Sequence, residues 1–176
     1  MESHLKVELP EALKNIFLSE ASGLLLKWFA PPEIFGEKCT RGYFHLLSPI
    51  EIIDLYEDML SMVSDLSVNN SEIETNEGLQ VLVADWPNWI PIIRFPNGDA
   101  FCVDIKNNHS IVFLEHDVMD GGPNIHGTKI AEDLDDLLNN WNVIAFVDYY
   151  DWSECVDDNR IDIENSDFSS IRKLIK

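Results

Sequence analysis

Basic side chains are scarce in this sequence. Its 176 residues hold 12 Lys and Arg against 32 Asp and Glu, a formal net charge of -20. Duplex nucleic acid carries a negative charge about every 1.7 Å, and binding it takes cations that displace counterions, so nucleic acid is disfavoured as a direct partner. Long apolar runs are missing too. No stretch approaches the ~18 residues of a membrane span, and "MESHLKVELPEALK" lacks the basic-then-apolar order of a signal peptide. A cytoplasmic protein without membrane contact is expected. Cysteine is sparse: Cys39, Cys102 and Cys155 form no CxxC and leave one thiol over under any pairing. That suits a reducing compartment and small buried residues rather than metal or redox chemistry.

Catalytic signatures are also absent. The chain has no GxSxG elbow, no HExxH, no phosphate-binding Gly-rich loop with its Lys, and no Cys beside a His. A carboxylate pair can always be drawn from 32 acidic residues, so its presence carries no information. Neither catalysis nor a cofactor is expected.

What is present is enough apolar material for one domain over residues 1–176, at 45% hydrophobic with five Trp. "LPEALKNIFLSEASG" reads as a helix, with Pro10 in its first turn, Leu9, Leu13, Ile16 and Phe17 on one face, and Gly23 as a stop. "LLLKWF" follows as a strand closed by Pro31 and Pro32, and "GYFHLL" is a second extended segment. Ser48, Pro49 and Glu51 spell a helix start, with the apolar stripe Ile52, Tyr56, Met59 and Val63 behind it. Residues 64 to 78 read as a polar excursion. Then "LQVLVADW", "WIPIIRF", "AFCVDI" and "SIVFLEH" read as short strands, the last three separated by "PNGD" and "KNNH". A meandering antiparallel sheet is the expected centre. A helix capped by Thr128 should carry Ile130, Leu134, Leu137, Leu138 and Trp141, and a short one should start near Ser166.

The histidine- and aspartate-bearing stretch Ile90 to Asp117 is explained by turn chemistry at Asn97, Gly98 and Asp99. Asp99, Asp104, His116 and Asp117 as metal ligands would have to converge on one point, and alternation alone does not place them so. Trp86 and Trp89 stand beside Asp85, Pro87 and Pro91, a composition that suits an interface anchor, although at least one of the two should be core. Acid is dense in two windows. Residues 115 to 136 hold seven Asp or Glu against one Lys, and 151 to 167 hold seven against one Arg. Either is a solvated face or a receptor for a partner's Lys and Arg.

The order of segments resembles the SUKH superfamily, the Smi/Knr-like group of bacterial immunity and eukaryotic regulatory proteins. The likeness rests on "LPEALKNIFLSEASG", a strand ending "KWF", "LLSPIEIIDLY", "WIPIIRFPNGDAFCVDI", "SIVFLEHD" and "KIAEDLDDLLNNW". Family positions fall on Gly23, Leu46 to Ile53, Gly98 with Asp99, Asp104, and Ala131 with Leu134. Ser22 stands where the family has Asn. The match covers roughly residues 9 to 141, leaving 142 to 176 as an acidic extension. The resemblance implies an α+β domain, SUKH-like, with a mainly antiparallel sheet of about four to six strands and helices on one side. It also implies a non-catalytic immunity protein that binds and neutralises a cognate toxin. The charge makes a basic toxin, possibly a nuclease, the matching partner. Partner contacts are expected at Asp85, Trp86, Trp89, Glu115, Asp117 and Asp120. The alternative is a protein-binding scaffold or regulator of the same fold, using the Trp86 and Trp89 region.

Overall fold

Apolar spacing and short turns set the architecture. A computed structural model describes residues 1–69, 77–116, 125–149, 151–157 and 160–175. Helices α1 (Glu2–Leu5) and α2 (Glu11–Asn15) open the chain, and α2 continues as a π-helical turn, Ile16–Glu20. Strand β1 (Leu24–Phe29), helix α3 (Pro32–Phe35) and strand β2 (Arg41–Leu46) lead into α4 (Pro49–Asn69). Helix α5 (Glu77–Asp85) precedes β3 (Trp89–Arg94), β4 (Ala100–Asp104), β5 (Ser110–Leu114) and β6 (Lys129–Ala131). Helix α6 (Leu134–Val143), the hairpin β7 (Val156–Asp157) and β8 (Arg160–Ile161), and α7 (Ser169–Ile175) follow. Strands β1 to β6 form one antiparallel sheet in chain order, so the fold is an α+β meander.

Strand alternation sends side chains to two faces, and over β3, β4 and β5 both are covered. On one face Phe44, Ile93, Phe101, Val103, Ile111 and Phe113 meet Leu13 of α2 and Leu134, Leu137 and Trp141 of α6. On the other, Trp89, Ala100, Cys102, Val112 and Leu114 meet Met59 and Val63 of α4, Leu79 of α5, and Trp86. The helical cover therefore extends to the second face. All three cysteines are buried free thiols.

The α4 start forms as its sequence dictates. Ser48 N and Oγ donate to Glu51 Oε2 at 2.8 and 2.6 Å, and Glu51 N donates back to Ser48 Oγ at 3.4 Å. Three local expectations are corrected. "LQVLVADW" is the helix α5, because Leu79, Val83 and Trp86 also satisfy helical spacing, and packing on Met59 and Val63 selects it over the period-2 reading. Helix α4 runs past Val63 to Asn69, shortening the polar excursion. Thr128 caps no helix: its carbonyl accepts from Phe113 N at 2.9 Å, residues 129–131 pair with β5 as β6, and Asp133 caps α6 by accepting from Asp136 N at 2.8 Å. A free partner at the edge of β5 outweighed the helical spacing there.

The acidic extension is built into the core. β2 pairs with β3 only at Leu46 and Ile93, and the space beside its first half is taken by residues 146–148. Tyr43 N donates to Phe146 O and Asp148 N to Arg41 O, each at 3.0 Å, with Val147 opposite Gly42. Further on, Trp152, Phe168 and Ile171 are buried in the main cluster. The tail is thus acidic outside and apolar inside.

Candidate functional site

Where residues 146–149 and 151–153 meet the β3–β4 turn and the end of β5, the surface folds into a cleft of about 330 Å³. Its polar wall is Arg41, Asp99, Glu115, His116, Asp148 and Asp151, over a floor that includes Phe95, Phe113 and Trp152. Four carboxylates thus face one guanidinium and one imidazole.

Local chemistry fixes each group. The β3–β4 turn needs Gly98, whose φ of +104° suits glycine and whose added Cβ would lie 3.1 Å from the His116 ring. Asp99, buried beside it, accepts from Asn97 Nδ2 at 2.6 Å and from His116 N at 3.0 Å, and its Oδ1 lies 2.8 Å from His116 Nδ1. Asp151 accepts from Ser153 N at 3.0 Å and Ser153 Oγ at 2.6 Å, capping a 3-10 turn. Asp148 is 6% exposed, and its Oδ2 lies 2.8 Å from Arg41 Nε. That contact is an ion pair without hydrogen-bond alignment, since the same oxygen makes no hydrogen bond. Burial raises the Asp148 pKa, Arg41 opposes the rise and Asp99 adds to it. Glu115 Oε2 is buried without a hydrogen bond, and burial followed by the charge of Asp99 raises its pKa. Carboxylates crowded in this way are relieved by an incoming cation.

The residues expected to meet a partner divide. Glu115 lies in the cleft. Trp86 and Trp89, at 6% and 4% exposure, lie in the second cluster against His126. Trp86 Nε1 donates to His126 Nε2 at 3.0 Å, Glu115 N faces His126 Nδ1 at 3.0 Å, and the Trp89 ring centroid is 5.1 Å from that of His126. Burial lowers the His126 pKa to about 4. Asp85 ends α5 partly buried; burial raises its pKa, with Lys106 opposing and Asp104 adding to the rise. Asp117 and Asp120 lie outside the described residues.

Asp104 stands at the far end of β4 from Asp99, about 3.3 Å per residue away along the strand. There it accepts from Lys106 N at 2.9 Å, Asn107 N at 3.1 Å and Asn107 Nδ2 at 2.6 Å, closing the β4–β5 turn. Among the described residues no group of three or more His, Cys, Asp or Glu is placed to hold a metal ion, and no helix is long and apolar enough to cross a membrane.

Arg41, Asp148 and Asp151 were not singled out from the sequence. Gly42, a glycine inside a strand pattern, is the one local signal that another part of the chain approaches there. Comparison with curated proteins and with solved structures returned no match. The profile of the SMI1 / KNR4 family (SUKH-1) matches residues 1–140, which takes in the whole β1–β6 sheet and most of α6. By that match the chain belongs to the SMI1 / KNR4 family (SUKH-1).

Proposed function

We propose that this chain is a non-catalytic immunity protein that binds a cognate basic toxin domain and neutralises it by covering its active surface. The observation that carries the reading is the cleft, where Asp99, Glu115, Asp148 and Asp151 face Arg41 and His116 on a chain of net charge -20. A toxin that handles phosphates presents Lys and Arg in a cleft of its own, and carboxylates can occupy those cations in place of phosphate. In this reading Glu115 contacts the toxin directly, and Trp86 and Trp89 hold His126 against the Glu115 backbone; Asp85, at the Asp104 end of the sheet, and Asp117 and Asp120 are further anionic contacts.

The test is co-expression with the product of the gene beside this chain's own. Growth is expected to be rescued, and a complex isolated whose affinity falls as salt rises. A toxin that kills unhindered and forms no complex with the purified chain contradicts the reading.

A further inference from the structure

The two ends of the main sheet are finished differently. At one end β6 is three residues long, with Ile130 and Ala131 buried. At the other, β1 is six residues long and, among the described residues, pairs only with β2. Leu24, Leu25, Leu26 and Phe29 are 49%, 51%, 39% and 81% exposed, on both faces of the strand. An open apolar edge is the arrangement that monomeric sheet proteins avoid.

Which backbone groups are unpaired follows from the register. β1 and β2 pair Leu24 with Leu46 through Phe29 with Arg41, and Ala30 N donates to Thr40 O at 2.9 Å in the same register. Hydrogen-bonded pairs alternate in an antiparallel ladder, so the even positions bond to β2 and the N–H and C=O of Leu25, Lys27 and Phe29 point outward. Consistently, Tyr43 N, opposite Lys27, bonds away from β1 to Phe146 O.

We infer that this edge pairs with the β1 edge of a second copy, joining two six-stranded sheets across a two-fold axis. Charge selects the occupant. Two chains of net charge -20 repel each other, but residues 21–32 contain no Asp or Glu, and neither do residues 38–50, which hold β2. The two strands of this border thus bring no carboxylate of their own to oppose a like-charged copy or to attract a cationic partner. The one charge in the strand, Lys27, holds its ammonium 5.0 Å from the centroid of the Tyr43 ring, back over the sheet.

Symmetry then fixes the register. Facing residues of an antiparallel pair share a face, so residues of like parity must oppose. Centring the axis on Lys27 would set two ammonium groups together. Centring it on Leu26 sets Leu26 against its counterpart, Leu24 against Trp28, and Leu25 against Lys27, with Phe29 over Gly23. The outward groups of Leu25 meet those of Lys27, as the ladder requires.

Sedimentation equilibrium over a range of protein and salt concentrations tests this. A monomer–dimer equilibrium is expected, and its dissociation constant should fall several-fold as salt screens the net charge. That is opposite in sign to the proposed toxin binding, so the two readings fail separately. Leu26→Lys should abolish the dimer. Leu25→Pro should do the same while leaving the β1–β2 bonds intact, because the lost N–H points outward. Leu26→Cys, at a non-hydrogen-bonded pair on the axis, should cross-link two chains on mild oxidation, and a cysteine at exposed Val68 should not. A chain that stays monomeric throughout, or a dimer indifferent to both β1 substitutions, overturns the inference. A monomer that loses its toxin on Leu25→Pro would also overturn it, assigning the edge to the toxin.

Discussion

Trp28 lies across Gly42, its indole Nε1 donating to Ala145 O at 2.6 Å from the far side of β2. A Cβ built on Gly42 would sit 1.9 Å from that nitrogen. Gly42→Ala must therefore push the indole aside, break its bond to Ala145 and loosen residues 145–148. We expect a loss of about 2–4 kcal/mol, read by urea unfolding. An unchanged midpoint would show that the indole has room to move.

Arg41→Ala leaves the buried Asp148 carboxylate without its counter-ion. Because Arg41 is half exposed, we expect a cost of about 1–3 kcal/mol at neutral pH, below that of a fully buried pair. The Asp148 pKa, raised by burial, rises further without Arg41, so the folded state holds the proton more tightly than the unfolded one. The variant's deficit should shrink as pH falls through the carboxylate range, which denaturation at several pH values reads.

His126 predicts the opposite trend. Its folded pKa is about 4 against the ordinary imidazole value of 6.5, so on acidification the unfolded chain takes up a proton that the folded chain refuses. Stability should fall as pH drops through 6.5 toward 4, by about 3 kcal/mol in all. Before most carboxylates titrate, between about pH 6.5 and 5.5, His126→Gln should flatten that slope.

Glu115→Gln separates folding from recognition. Glu115 Oε2 makes no hydrogen bond, and burial and the charge of Asp99 both disfavour its carboxylate, so the neutral amide should leave stability unchanged or raise it. Removing one charge from the cleft should weaken toxin binding by about fivefold or more, with a shallower salt dependence, measured calorimetrically. Equal affinity would remove Glu115 from the contact.

Legibility from the sequence followed the range of each interaction. The Ser48–Glu51 start, the Asn97–Asp99 turn and the strands on either side of it are local, and residues a few positions apart announce them. Helix α5 and strand β6 were misread because Leu79, Val81 and Val83, like Ile130 and Leu134, satisfy more than one period; a neighbour elsewhere in the chain decides. The cleft was least legible. Glu115 lay in a window marked by acid density, whereas the pairing of Arg41 with Asp148 spans over a hundred residues and leaves no periodic trace.

The insertion of residues 146–148 beside β2 also sets a sequence in time. A nascent chain shorter than about 150 residues can pair its strands from β1 to β6, yet it lacks Asp148 or Asp151 and one wall of the cleft. The cleft is therefore completed after the sheet beside it, once Asp148 and Asp151 have joined Asp99 and Glu115, and a shorter fragment is expected to hold the proposed partner weakly.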